Sequence, residues 1–337
     1  MGAATGAGRV DDTARRFPRQ SAAVVVFGTW MIVGLFLDGW SHNHQRPETF
    51  FTPWHGVLYS GFLVGVAWFW LEQRSAHAEP GLVGGRLTGV GFTIFAAAAV
   101  GDFVWHTLFG IERNIAALLS PTHLLLMTGG LLLVTAPVRD AWARPSRAAG
   151  WRELWPVVGS LTLTVALVLF FLQYLSAFRS VVVAQPAGTS FRYFVETAEI
   201  RTISSVLVTN AVLMGAVLFT IRRWRPPPGA FTVLFTMTAV AMSGLDSFGR
   251  LPLALCAVTG GLVADVLVLG RSPTRVIAGV TPAVLWLSYF VVFKLAYNLP
   301  WTIHLWLGTV LLASLSGLGL SLLSAPPAMP DRAELSP

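Results

Sequence analysis

The chain has 337 residues, of which 54% are hydrophobic and only 12% charged, and its mean hydropathy is +0.66. That leaves too little polar surface to cover a soluble globule of this size, so a polytopic membrane protein is expected. The net charge of +7 then marks topology and attraction to anionic lipid, with no nucleic-acid partner.

The apolar runs are about 18 to 25 residues long, the length a helix needs to cross roughly 30 Å of hydrocarbon. None alternates in the rhythm of an outer-membrane barrel. The expected fold class is all-α: a polytopic helical bundle of about ten transmembrane helices, with a parallel repeat of helical hairpins in its N-terminal half. Residues 1–20 form a cytoplasmic tail, flexible over Met1 to Arg19. Residues 21–324 form a single transmembrane domain, with Asp/His-bearing hairpins over 21–140 and the remaining helices over 150–324, and 325–337 form a second cytoplasmic tail.

The first span, 22–41, carries Asp38 near its end and is followed by His42. It has no small-residue cleavage site after a short apolar core, so it reads as a retained helix and not as a signal peptide. The second, 53–72, opens in Thr52-Pro53-Trp54-His55. The third, 87–109, carries Asp102 and His106, and the fourth, 121–138, opens in Ser120-Pro121-Thr122-His123. Asp38 to Asp102 and His42 to His106 are both offset by 64 residues, and His55 to His123 by 68, the pattern of an internal repeat with a small loop insertion.

Six further spans are expected, at 154–178, 200–221, 231–248, 251–269, 276–297 and 300–323. Between the fifth and sixth, the segment from Arg179 to Glu199, with Phe191, Tyr193 and Phe194, reads as an amphipathic lid on the membrane surface or as a loop. Asp246 and Lys294 fall near the outer ends of their helices and are expected to pair, while Asp265 falls in the inner half of its span. His304 follows Pro300 and Trp301 at the start of the last helix, echoing His55 and His123. The single cysteine, Cys256, excludes an intramolecular disulfide and any cysteine-rich metal site.

Of the 23 basic residues, 16 fall on the cytoplasmic side if the N-terminus is cytoplasmic, with the densest loop at Arg139, Arg144, Arg147 and Arg152. Both termini are therefore placed in the cytoplasm, and both Asp/His sets on the outer face of a bacterial plasma membrane. A carboxylate and an imidazole at i and i+4 share one helix face. Thr52 and Ser120 suit an N-cap and Pro53 and Pro121 the first helical position, which puts His55 and His123 in the first turn of the returning helices. The positive end of a helix dipole there disfavours imidazolium and favours the neutral, ligating ring. Asp38, His42 and His55, and again Asp102, His106 and His123, make sets that suit copper, non-haem iron or zinc. The same groups also suit a structural polar cluster or a proton relay, and Asp residues there have Arg46 and Arg113 as neighbours. His44, Glu48 and Glu112 are weaker candidates, either as added ligands or as acceptors orienting an imidazole. Trp40, Trp54 and Trp105 read as interfacial aromatics or as walls of a substrate pocket.

Asp38-x3-His42-x12-His55 is similar to the Asp-x3-His-x12-His metal motif of the membrane C subunit of particulate methane and ammonia monooxygenases. That family carries a second, neighbouring set with Asn in place of the acid. The resemblance implies that Asp38, His42 and His55 are copper ligands and that Asp102, His106 and His123 form a second set. It covers these six positions, and the chain departs from it in Asp102, in the longer gap before His123 and in its larger number of helices. The chain also resembles an uncharacterised family of actinobacterial multi-spanning proteins, through Leu37-Asp38-Gly39-Trp40 and Phe51-Thr52-Pro53-Trp54-His55, which implies a membrane bundle and carries no activity over.

Three functions follow. The first is a membrane metalloprotein with a copper or iron centre facing outward, an oxidoreductase acting on a small apolar substrate or a lipid. The second is a metal transporter or delivery factor. The third is a nonmetal transporter or proton relay. Transporters carry polar residues and broken helices near the midplane, whereas the polar groups here cluster at one end. Membrane lipid is the expected partner, and association into a homo- or hetero-oligomer is left open.

Overall fold

The structure is a computed structural model that describes residues 4–44, 51–75, 83–110, 112, 115–144, 150–179 and 192–325, without the side chains of 4–18 and 192–195. Among these residues there are twelve α-helices and no strand: α1 (Ala4–Asn43), α2 (Pro53–Ser75), α3 (Arg86–Phe109), α4 (Ile115–Leu119), α5 (Pro121–Val134), α6 (Ala136–Ala143), α7 (Trp151–Phe171), α8 (Arg192–Arg223), α9 (Ala230–Gly244), α10 (Ala254–Leu269), α11 (Thr274–Tyr297) and α12 (Ile303–Ser324). The chain is an all-α, multi-pass membrane bundle.

Eight helices are long and apolar enough to cross a membrane, and a ninth span arises if α5 and α6 count together across their 42° bend. The bend falls where Pro137 enters the first turn of α6. A proline there has no N–H to continue the ladder, and its ring crowds the preceding turn. The expected span 231–248 is shorter than predicted. Its helix, α9, has 15 residues, about 22 Å at 1.5 Å per residue, and so falls short of a roughly 30 Å core. The first helix is longer than expected, because its backbone is helical from Ala4 where a flexible tail was predicted.

One apolar core joins α7 to the helices that follow it, around the fully buried Trp286, Tyr289 and Phe293. A second, smaller core joins α1, α2, α3 and α5 around Phe27, Phe62, Phe92 and Phe95. The outward faces carry leucine and valine, such as Leu63, Val100, Val266 and Leu311, as a lipid-facing surface requires.

The repeat is visible in packing as well as in sequence. A Cβ on Gly61 of α2 would lie 2.9 Å from the backbone nitrogen of Met31 on α1, and a Cβ on Gly129 of α5 would lie 2.8 Å from the backbone nitrogen of Phe95 on α3. Gly61 and Gly129 are 68 residues apart and Met31 and Phe95 are 64 apart, the same two offsets that relate the histidines and the aspartates. Each hairpin therefore closes through a glycine seated on the partner backbone at an equivalent register, a contact that only a residue without a side chain permits.

Two polar contacts differ from expectation. Asp246 does not pair with Lys294. It lies 3.7 Å from Arg179, which also donates to Gln173 at 2.5 Å, while Lys294 Nζ donates to the Leu299 carbonyl at 3.4 Å. The chain turns back directly after α7 and brings a guanidinium to Asp246, and the lysine lies close enough to its own helix end to bond there. Asp265, buried in α10, accepts from the backbone N–H of Phe231 and of Thr232, both at 3.0 Å, and from the Thr232 hydroxyl at 2.7 Å. It caps the start of α9, where free N–H groups and the helix dipole favour a carboxylate.

The turn after α9 docks on the end of α1. Trp40 Nε1 donates to Ser247 Oγ at 2.8 Å, His44 Nε2 lies 3.1 Å from the same oxygen, and Asn43 Nδ2 donates to the Leu245 carbonyl at 3.4 Å. Ser247 and Phe248 in this turn hold φ of 53° and 62°, values that cost a residue with a side chain roughly 1 to 2 kcal/mol each.

Candidate metal centre

Each hairpin brings its three predicted residues together. The local sequence does this in the same way twice. The backbone N–H of His55 donates to Thr52 Oγ1 at 3.3 Å and that of His123 donates to Ser120 Oγ at 3.4 Å, so both N-caps form as expected and both imidazoles project from a first helical turn. The Asp and His at i and i+4 on the preceding helix face them across the hairpin.

In the first set, Asp38 Oδ2 lies 3.4 Å from His42 Nε2 and Oδ1 lies 3.3 Å from His55 Nε2. In the second, Asp102 Oδ1 lies 3.5 Å from His106 Nε2 and 3.3 Å from His123 Nε2. Within each set one ligand atom per residue lies within 4.8 Å of the others, as a metal site requires. All four contacts exceed the 2.7 to 2.9 Å of a charge-assisted hydrogen bond. They lie near the edge of a tetrahedron with metal–ligand bonds of about 2.0 to 2.1 Å, which is about 3.3 to 3.4 Å, with both contacts made by one oxygen of Asp102 but by the two different oxygens of Asp38.

The second set has a polar shell around its imidazoles. His106 Nδ1 lies 3.3 Å from the Gly110 carbonyl and 3.3 Å from Glu112 Oε2. The Gly110 carbonyl accepts only, so Nδ1 carries a proton, and Glu112 Oε2 stands beside it as a charge without a hydrogen bond, while Nε2 faces Asp102. Glu112 is held in turn by the Trp105 indole N–H, which donates to Oε1. On the other side Ser120 Oγ lies 2.8 Å from His123 Nδ1 and 3.3 Å from Thr122 Oγ1, and Thr122 donates to Asp102 Oδ1 at 2.8 Å. Read from His123 Nδ1–H through Ser120 and Thr122 to Asp102, this chain is directionally consistent and likewise leaves Nε2 facing Asp102.

Asp102 is 1% exposed, and its Oδ2 has no hydrogen-bond partner among the described residues. A buried carboxylate with an orphaned oxygen calls for a positive charge beside it, which an imidazolium or a bound cation supplies. The donor set fits that cation. One carboxylate and two imidazoles, without thiolate, suit copper, iron or zinc and leave coordination positions for other ligands.

The two sets open on one cavity. A void of about 50 Å³ is lined by Asp38, His55, Asp102 and His123 at its polar end, and by Met31, Leu58, Tyr59, Phe95, Met127 and Phe171 among other apolar side chains. At roughly 10 to 15 Å³ per water it holds a few water-sized molecules. His42 and His106 stand outside it, so each candidate ion would be approached between its Asp and its returning-helix His.

Of the weaker candidates, Glu112 comes beside the second set, 3.3 Å from His106 Nδ1, whereas His44 bonds Ser247 and the Trp40 carbonyl and joins neither group. Glu48, Arg46, Arg113 and Phe191 lie outside the described residues, as do the side chains of Tyr193 and Phe194. His304 begins α12 as predicted, is exposed and belongs to neither group. Trp40 and Trp54 meet edge to face at 5.7 Å beside the first set. Sequence reading did not single out Thr122 and Tyr59. Thr122 sits one residue before a predicted ligand, and Tyr59 follows His55 by one helical turn, which is the signal that places its ring 6.0 Å from the imidazole.

No protein-family model, curated protein or solved structure matches the chain.

Proposed function

We propose that this protein is a membrane metalloprotein that holds copper, with iron or zinc as the alternatives, at Asp38, His42, His55 and at Asp102, His106, His123. The observation that carries the reading is the set of four Asp–His separations of 3.3 to 3.5 Å, too long for strong ion-pair hydrogen bonds and right for neighbouring ligands of one ion. The excess of arginine in alternate loops supports cytoplasmic termini and sites facing outward from a bacterial plasma membrane.

The best-supported activity is oxidoreduction of a small apolar substrate or a lipid. A bound copper or iron ion supplies redox chemistry and a Lewis acid. The chain supplies the rest. Asp102 and Asp38 fix the charge at each site, the N-capped first turns of α2 and α5 aim imidazoles at it, and Phe95, Leu58 and Phe171 give the cavity between them an apolar lining. A delivery factor would use the same ligands without consuming oxygen.

The test is metal analysis of detergent-purified protein together with His55→Ala, His123→Ala and the double variant. Each single variant is expected to lose about one ion, and the double variant both, with His304→Ala unchanged. Redox cycling of the bound ion with reductant and oxygen separates an oxidoreductase from a delivery factor. Wild-type protein free of metal after exposure to copper, iron and zinc sinks the proposal. The polar series from Glu112 through His106, Asp102, Thr122 and Ser120 to His123, with neighbours 2.8 to 3.5 Å apart, then favours the proton-relay reading.

A further inference from the structure

We infer that the two sites are unequal: the Asp102 site is a tightly held, preorganised metal site whose His106 is positioned by Glu112, and the Asp38 site is the exchangeable one. This rests on the metal-binding reading above and adds to it a division of labour and a residue, Glu112, that acts through a ligand without being one.

Burial points the same way for two of the three residue pairs. Asp102 is 1% exposed against 14% for Asp38, and His106 is 7% exposed against 25% for His42. The third pair runs slightly against it, with 17% for His123 and 11% for His55. The carboxylate and the i+4 imidazole decide the ranking, because Asp102 carries the orphaned buried oxygen and therefore loses most when an ion leaves. Leaving a buried charge without a partner is far costlier than leaving a partly solvated one.

Glu112 then sets how firmly the ion is held. Its Oε2 lies 3.3 Å from His106 Nδ1 as a neighbouring charge, while Nδ1 makes its hydrogen bond to the Gly110 carbonyl, and the other carboxylate oxygen is fixed by Trp105 one turn before the end of α3. A carboxylate charge beside the far nitrogen adds to the Gly110 carbonyl in favouring a proton on Nδ1, and raises the basicity of the ligating nitrogen. Such partners typically change metal affinity by about 10- to 100-fold. Trp105–Phe109 ring contact at 4.6 Å keeps the indole in place to do this.

The experiment uses the full chain in detergent, loaded with copper alone. Wild-type protein is expected to bind two ions and release them to a chelator in two well-separated phases. Glu112→Ala should accelerate only the slow phase, by about 10- to 100-fold, and leave the fast phase and its amplitude unchanged. Glu112→Gln, which keeps an acceptor for Trp105 but removes the charge beside His106, should accelerate the slow phase in the same direction. His42→Ala should abolish the fast phase and spare the slow one. Spin-echo spectroscopy of the copper(II) protein gives a reading that mere loosening of the fold would not. The remote-nitrogen coupling of one imidazole should change in Glu112→Ala as its Nδ1–H loses the neighbouring carboxylate charge. Trp105→Phe, which keeps the carboxylate but frees it, should shift the same signal if the alanine variant does not fold. A slow phase and remote-nitrogen signal unchanged in Glu112→Ala, or a slow phase abolished by His42→Ala, overturns the inference while leaving metal binding intact. Failure to bind copper at all overturns the metal-binding reading itself.

Discussion

Gly129→Ala isolates one metal site without touching a ligand. A Cβ at this position of α5 would stand 2.8 Å from the Phe95 nitrogen and 2.9 Å from its Cα and Cβ on α3, where ordinary contact begins at 3.4 Å. Backbone cannot rotate away, so α3 and α5 must separate locally by about 0.6 Å. His123 lies six residues before Gly129 on α5 and Asp102 lies seven after Phe95 on α3, so the same displacement is carried toward the 3.3 Å gap between them. Metal–ligand distances tolerate only about 0.2 Å, and overpacking costs typically about 1 to 3 kcal/mol. The variant should therefore fold with a lowered melting temperature, hold about one copper ion instead of two, and lose the slow chelator phase. Gly61→Ala, with its Cβ 2.9 Å from the Met31 nitrogen, should do the converse at the Asp38 site. Two ions retained with native release rates in Gly129→Ala would refute the reasoning that hairpin closure sets ligand geometry.

Asp265→Ala should destabilise the bundle by about 1.5 to 3 kcal/mol, the worth of hydrogen bonds to a charged group. Thermal unfolding should shift downward while copper content stays native, because the cap at the start of α9 touches neither site. Single cysteines at His44 and Arg144 in a Cys256→Ala background should react with an impermeant thiol reagent from opposite sides, His44 from outside. Reaction of the Arg144 position from outside would reverse the assigned orientation. Cys256 itself is fully buried, so wild-type protein should resist the same reagent until it is denatured.

The helical class and both Asp/His groups were legible because they rest on local rules. Apolar run length fixes spans, i,i+4 spacing puts Asp38 with His42 and Asp102 with His106, and a Ser/Thr-Pro-x-His start fixes the direction of the third ligand. What lay hidden depends on where the chain goes next. Glu112 meets His106 only because Gly110, at φ 79°, turns the chain back over the end of α3. Asp265 meets residues more than thirty positions away across a helix pair, and hydropathy gives no hint of which N-terminus it serves. Asp246 found Arg179 rather than Lys294 because the chain reversal after α7 brings the guanidinium closer. The bend between α5 and α6 was written in Pro137, but the apolar run across it reads as one continuous span.

The turn after α9 gives the second half of the bundle a hand on the first. Ser247 grips both Trp40 and His44, two and six residues beyond Asp38. Ser247 and its neighbour Phe248 are also held in a backbone region that residues with side chains avoid, so the clasp is under tension and relaxes only by letting go. If the C-terminal helices shift against α1, through lipid thickness, a partner or a substitution, the change arrives at His42 as a swing of the helix end. A drift among helices that carry none of the Asp/His residues would thus be heard at the Asp38 group, and glycine at 247 or 248, by slackening the clasp, would make that group deaf to it.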